Sequence, residues 1–255
     1  MRLHVVSDVH GSADELARAA AGADALICLG DLVLFLDYAD HSRGIFPDLF
    51  GAAATTRLIE LRTAGRHEEA RAHSGGLWSR LGRDPRAVIE DAVRRQYAAL
   101  FAAMTVPTYI TYGNVDVPRL WPEFLRDGIT VLDGQTTEIA GLRFGFVGGG
   151  LPTAKRTPYE VPRDVFDAKV AALGPVDVLC AHIPPALPEL TYDVVARGFE
   201  RGSDALLDAV RAHQPRLMLY GHVHQPLCAR TRIGRTECVN VGHFQGTGEP
   251  YVLHV

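Results

Sequence analysis

What the chain lacks sets the first limits. Lysine occurs only at Lys155 and Lys169, so arginine supplies nearly all of the 26 basic residues, and 30 acidic residues give a formal net charge of −4. That balance provides no overall pull toward nucleic acid or an anionic membrane surface. Arginine suits phosphate, and the base composition of a genome explains such a bias equally well. Cysteine is scarce, with four in 255 residues and no Cys-x-x-Cys pair, the spacing that a paired-thiol motif needs. Cys28 in "LICLG" and Cys180 in "VLCAH" lie in apolar runs and read as small buried hydrophobes. Cys228 and Cys238 could face each other across a hairpin turning near "RIGR", and in a reducing compartment free thiols are expected there over a disulfide. No apolar stretch reaches membrane-spanning length, and no charged leader with a long apolar core precedes the first strand. The expectation is a cytoplasmic protein without a membrane partner.

What is present is an ordinary globular composition, 47% hydrophobic and 22% charged, on a chain long enough for one large domain over residues 1–255. Several segments share one layout, an apolar strand followed by a small residue and then a polar one able to bind metal: "RLHVVSDVHG", "ALICLGD", "TYITYGN", "VDVLCAH" and "LMLYGHVH". Short continuous apolar runs separated by helical stretches imply an α/β fold with buried strands. Ser12 and Glu15 form a capping-box pattern that starts one helix; Ser203 as N-cap and Pro215 as stop bound another. After about Thr130 the pattern turns to hairpins, "ITVLDGQTTEIAGLRFGFVGGG" and "CARTRIGRTECVNVG". Within the first of these, "VGGGLP" reads as a turn, the alternative being a phosphate cradle of backbone N–H groups.

Residues 36–105 read as a helical insertion. Their last helix has Asp84 as N-cap, Pro85 at the first position, and a stripe of Val88, Ile89, Ala92, Val93, Tyr97, Leu100, Phe101 and Met104 that reads as packing surface. The segment carries ten arginines and nine acidic residues, a solvated mixed-charge surface with no basic track for a polynucleotide. The insertion is expected to cap the site or to pair two copies as a homodimer.

The polar residues at the strand ends are Asp8, His10, Asp31, Asn114, His182, His222 and His224. Polar residues just past strand ends lie along one edge of a sheet, where open α/β folds place ligands. Imidazole nitrogen mixed with carboxylate and amide oxygen suits manganese, iron or zinc better than magnesium or calcium. The set exceeds the needs of one tetrahedral ion, whereas two divalent transition-metal ions sharing a carboxylate use all of it. With two carboxylates and one bridging hydroxide such a centre keeps about one surplus positive charge, which attracts a phosphate ester, and a neutral amide at Asn114 preserves that surplus.

Read in order, "DVH", "GD", "GNVD", the histidine of "CAHIPP" and "GHVH" resemble the motifs of the calcineurin-like metallophosphoesterase family, from Asp8 to His224. The resemblance implies a four-layer α/β/β/α sandwich of two mixed sheets. It also implies that Asp8, His10 and His224 hold one ion, that Asn114, His182 and His222 hold the other, and that Asp31 bridges them. The paired ions of that family acidify a bridging water and clamp the phosphoryl oxygens. The sequence departs from the family at Val115, where a histidine commonly protonates the leaving oxygen, a contribution of about 10² to 10⁴ in rate. His41, ten residues after "GD", and His243 in "NVGHF" are the candidate replacements, while Asp116, which would have paired with the missing histidine, is expected to support the site from behind. The function expected is hydrolysis of small-molecule phosphate esters, diesters before monoesters. The alternative is a weakly active or non-catalytic metal-binding scaffold that uses the fold for protein contacts.

Overall fold

The computed structural model describes residues 1–153 and 157–255. The chain divides into two compact units, Met1–Leu32 with Ala99–Val255, and Val33–Ala98. From the N-terminus, β1 (Arg2–Val6) leads through α1 (Ala13–Ala21) to β2 (Ala25–Cys28), and then to α2 (Ile45–Phe50), α3 (Ala52–Thr63), α4 (His67–Arg80) and α5 (Pro85–Ala103). The chain continues through β3 (Thr108–Ile110), a 3-10 turn at Pro118–Glu123, β4 (Ile129–Val131), β5 (Gln135–Ile139) and β6 (Leu142–Val147). There follow α6 (Arg163–Leu173), β7 (Val178–Ala181), α7 (Pro188–Thr191) and a ribbon of β8 (Tyr192–Asp193) with β9 (Gly198–Phe199). The last elements are α8 (Asp204–His213), β10 (Leu217–Tyr220), β11 (Arg230–Ile233), β12 (Thr236–Asn240), α9 (Phe244–Thr247) and β13 (Tyr251–His254).

The apolar runs become the parallel centres of two mixed sheets. In one, ordered β13-β1-β2-β3-β4, the strands β1 to β4 run parallel and β13 closes the edge antiparallel. In the other, ordered β11-β12-β10-β7-β6-β5, four parallel strands lie between antiparallel edges β11 and β5. Alternation along the strands sorts residues to the two faces. Leu3, Val5 and Ile27 of the first sheet pack against Phe144, Phe146, Cys180 and Leu219 of the second. The other face of the second sheet, with Leu179, Ala181 and Met218, is covered by Phe166 and Val170 of α6 and by Leu206 and Val210 of α8. On the far side of the first sheet α1 buries Leu16, Ala19 and Ala20, and His4 Nδ1 meets Ala19 O at 2.7 Å. Each fully buried Leu or Phe contributes about 1.5–3 kcal/mol, so the inter-sheet layer fixes the sandwich.

Several local expectations are modified. The capping box at α1 does not form, because Ser12 has ψ of 65° and its side chain makes no cap bond. Ser203, with an extended backbone, does accept from Leu206 N at 3.2 Å, as an N-cap requires. Strand β4 does not join a hairpin but pairs parallel with β3, leaving β5–β6 and β11–β12 as the hairpins. Cys228 and Cys238 are free thiols; Cys238 stands opposite Thr231 while Cys228 Sγ meets Arg230 O at 2.9 Å.

The helical unit has its own core of Phe46, Leu58, Leu61 and Ala70, with Phe50 edge-on to Phe46 and Trp78 at 4.9 and 4.7 Å. Gly51 (φ 82°, ψ 160°) separates α2 from α3. The Asp84 carboxylate accepts from Arg86 N at 3.1 Å, and the stripe of α5 is largely buried as expected. The unit ends seven residues before 105 because the last turn of α5 belongs with the sheets: Phe101 lies 5.5 Å from Trp121, and Arg126 donates to Phe101 O and Met104 O at 2.6 and 2.7 Å.

Candidate metal centre

The seven side chains singled out in the sequence follow the C-terminal ends of parallel strands: Asp8 and His10 after β1, Asp31 after β2, Asn114 after β3, His182 after β7, and His222 and His224 after β10. The loops are tightly bent. Asp8, His10, Asp31 and His222 all have positive φ, from 41° to 67°, at about 1–3 kcal/mol each. The strain is held by bonds between loops: Asp8 N donates to Gly30 O at 3.1 Å, His10 N to Asp31 O at 2.9 Å, and His222 N to Asp8 Oδ2 at 2.9 Å. Close approach demands small residues here. A Cβ on Gly113 would sit 2.0 Å from Asp31 Oδ1, and one on Gly221 2.0 Å from Ser7 Oγ.

Two groups of donors result. In one, His224 Nε2 lies 3.4 Å from His10 Nε2 and 3.5 Å from Asp8 Oδ1. In the other, His182 Nε2 lies 3.0 Å from Asn114 Oδ1 and 3.4 Å from Asp31 Oδ2, with the His222 ring 5.1 Å from that of His182. Asp31 is common to both, since ligand atoms of Asp8, His10 and Asp31 all lie within 4.8 Å of one another.

Supporting bonds aim these donors. His182 Nδ1 donates to Leu29 O at 2.9 Å, which turns Nε2 toward the site. Asn114 Nδ2 donates to Thr157 Oγ1 at 3.2 Å, leaving Oδ1 for His182, and Thr157 Oγ1 donates in turn to Glu160 Oε1 at 3.3 Å. Asp116 does support the site from behind: its carboxylate accepts from Asp31 N, Gly113 N and Leu32 N at 2.8–3.0 Å. Burial, then the charge of Asp31, pushes the Asp116 carboxyl up to about 7 despite those donors.

The electrostatics are those of a crowded cation site. Burial works to raise Asp8 and Asp31, and is outweighed by His224 beside Asp8 and His182 beside Asp31, so both carboxyls stay below their ordinary range. Burial works to lower His182, and Asp31 overcomes it, moving the imidazole up to about 9. Its proton therefore bridges Nε2 to the oxygens of Asn114 and Asp31. Burial and the neighbouring His182 charge bring His222 down to about 4, so its 3.9 Å approach to Glu200 joins a neutral ring to a carboxylate. Among the described residues, Asp8 Oδ1 and His222 Nε2 are buried without a hydrogen-bond partner, a condition costing about 1–3 kcal/mol each that a cation would relieve. The donors fit divalent transition metals.

The candidate proton donors part company. His41 belongs to the Val33–Ala98 unit, where Nδ1 meets Thr56 Oγ1 at 2.8 Å. His243 stacks on His224 with ring centroids 3.8 Å apart and planes within 10°, and lies edge-on to His10 at 5.8 Å. Burial and the charge of His224 bring its imidazole down to about 4. At position 115 the backbone N donates to Asp31 Oδ1 at 2.9 Å. "VGGGLP" is a turn, because the N–H groups of Gly148, Gly149 and Gly150 bond Asp133 Oδ1, Tyr112 O and Tyr159 O at 2.7–3.1 Å. Thr157, Glu160 and Glu200 went unnoticed in the sequence, where each sits in a polar loop with no spacing to mark it.

Strand ends from two sandwiched sheets, converging on buried imidazoles and carboxylates, define the class of metal-dependent hydrolases. More narrowly, residues 1–226 match the family model for calcineurin-like phosphoesterases, and the chain belongs to that family, whose members hydrolyse phosphoesters with divalent metals. No curated protein matches. Among solved structures the chain is similar to TT1561 of Thermus thermophilus, with TM-score 0.53 at 15% identity, over 99% of this chain and 98% of that one. It is also similar to a Staphylococcus aureus protein described as a 5'-nucleotidase, in complex with alpha-ketoglutarate (TM-score 0.43, 14% identity, 94% of this chain, 48% of that one). A third is GAP50, the anchor in the inner membrane complex of Plasmodium (TM-score 0.41, 12% identity, 95% and 71%). Among the described residues no helix is long and apolar enough to cross a membrane.

Proposed function

We propose that this chain is a dinuclear phosphoesterase acting on phosphodiesters of small molecules or nucleotides. Asp8, His10 and His224 would hold one ion, Asn114, His182 and His222 the other, with Asp31 shared. The observation that carries this reading is the position of Asp31, in contact with His182 at 3.4 Å and grouped with Asp8 and His10 within 4.8 Å. When bound, paired ions supply an acidified water and neutralise phosphoryl oxygens.

The chain's own residues then shape the choice of substrate. Asn114, held by Thr157 so that its amide oxygen faces the site, ligates without adding negative charge and leaves the centre attractive to an anion. Val115 cannot protonate a leaving oxygen, which favours esters whose leaving group needs little help. Asp116 fixes the loops of Asp31 and Gly113 to each other, keeping the shared carboxylate in place.

Metal analysis of purified protein, combined with a turnover panel of diesters, monoesters and cyclic nucleotides, tests this. Two manganese, iron or zinc ions per chain and faster turnover of an aryl diester than of the matching monoester are expected, with Asn114→Ala as the inactive blank. A single ion per chain, or a monoester cleaved far faster, refutes it.

A further inference from the structure

Resting on the two-ion reading, we infer that His243 is a substrate-contacting residue, which stays outside the metal shell and donates an N–H to an oxygen of the phosphoryl group held beside His10 and His224. Two observations and one rule of coordination converge. Ligand atoms of His10, His224 and His243 lie within 4.8 Å of one another, so a ring nitrogen of His243 borders the place an ion would take. An ion binds imidazole close to the ring plane at about 2.0–2.1 Å. The His224 and His243 rings lie parallel with centroids 3.8 Å apart, and parallel planes so separated share no such position. His243 therefore cannot join His224 on one ion without leaving the stack.

A ring beside the ion but unable to bind it faces the ion's ligands instead. Imidazole carries at least one N–H in either protonation state, and hydrogen bonds to charged acceptors are the stronger kind. The groups around the ring are His224 on its face, His10 at its edge, Gln245, whose Oε1 lies 3.3 Å from Nε2, and the backbone of Gly246. The carboxylate whose charge reaches the ring is Asp8, itself one of the proposed ion ligands and bonded by His222 N at 2.9 Å. The residue also follows β12, a strand whose end was not among those read as ligand-bearing, so it enters from a direction that Val115 does not.

The test uses manganese-loaded full-length protein with inorganic phosphate as the probe, binding followed by calorimetry and metal content by elemental analysis. His243→Phe keeps a ring to stack and removes the N–H. Phosphate affinity should fall about ten- to one-hundred-fold, the loss of one hydrogen bond to a charged acceptor, with manganese per chain unchanged. His243→Ala, which puts no larger ring against α9, should show the same loss. Phosphate bound as tightly by both variants as by wild type overturns the inference. So does the loss of one manganese from the Phe variant, which would make His243 a ligand. A wild-type chain that takes up fewer than two manganese ions defeats the two-ion reading itself, and does so before any variant is made.

Discussion

Gly221→Ala isolates the contact that brings the β10 loop against the β1 loop. Gly221 does not need positive φ, so alanine meets no backbone penalty, and its stiffer unfolded chain favours folding by about 0.4–1 kcal/mol. Against that, the new Cβ would lie 2.0 Å from Ser7 Oγ, 2.4 Å from Ser7 Cβ and 2.4 Å from Asp8 Oδ2. Such overlap forces the loops apart at about 1–3 kcal/mol. It also stretches the 2.9 Å bond from His222 N to Asp8 Oδ2, a bond to a charged acceptor worth about 1.5–3 kcal/mol. The net is a destabilisation of roughly 2–5 kcal/mol, read as a lower urea midpoint at unchanged slope, together with weaker manganese uptake. Ser7→Gly in the same chain removes two of the three clashes and should restore part of the loss, as coupled neighbours do. A Gly221→Ala protein within about 0.5 kcal/mol of wild type, with unaltered manganese affinity, refutes the reasoning.

Val115→His should raise turnover of alkyl diesters by about 10²-fold or more; steady-state rates show it, and no gain for poor leaving groups would mean the leaving oxygen already has a donor. Metal uptake at pH 7 should expel the proton that His182 holds up to about 9, so calorimetry in buffers of different ionisation heat should find proton release, and none would contradict the His182–Asp31 pairing. In the metal-free protein that pairing stabilises the fold fully below the unfolded-state value near 6.5 and is lost as pH rises through about 9, so the melting temperature should decline across that window; a flat profile counts against it. Thr157→Val leaves Asn114 Nδ2 without its 3.2 Å partner, and manganese affinity should fall about tenfold, in the range seen when a ligand's supporting partner is removed, with unchanged affinity as the contrary result.

The ligand-bearing strands were legible because a buried parallel strand must be a continuous apolar run, and the first polar residue after it falls at the sheet edge. Asp31, His182 and His222 obey this strictly, while Ser7 and Thr111 come between the strand and the ligand at Asp8 and Asn114. Residues that aim those donors were not legible, since Thr157, Glu160 and Glu200 reach the site by chain folding and not by any period. The capping box at Ser12 failed because the strained loop of Asp8 and His10 sets the backbone at Ser12 and overrides local preference. Strand β4 escaped because its short Ile-Thr-Val run resembles a hairpin arm, and only tertiary pairing assigns it to β3. His243 was marked only as one of two histidines able to replace the residue missing at position 115, and its stacking on His224 depends on how β12 lies beside β10.

The bond from His222 N to Asp8 Oδ2 spans 214 positions of sequence, and that separation bears on synthesis. A nascent chain halted before Gly221 would already carry Asp8, His10, Asp31 and Asn114 yet lack both imidazoles of the "GHVH" loop. Metal acquisition is thereby deferred until residues 221–224 have been made, and a polypeptide clipped before them would keep five of the seven donors and lack one imidazole from each group.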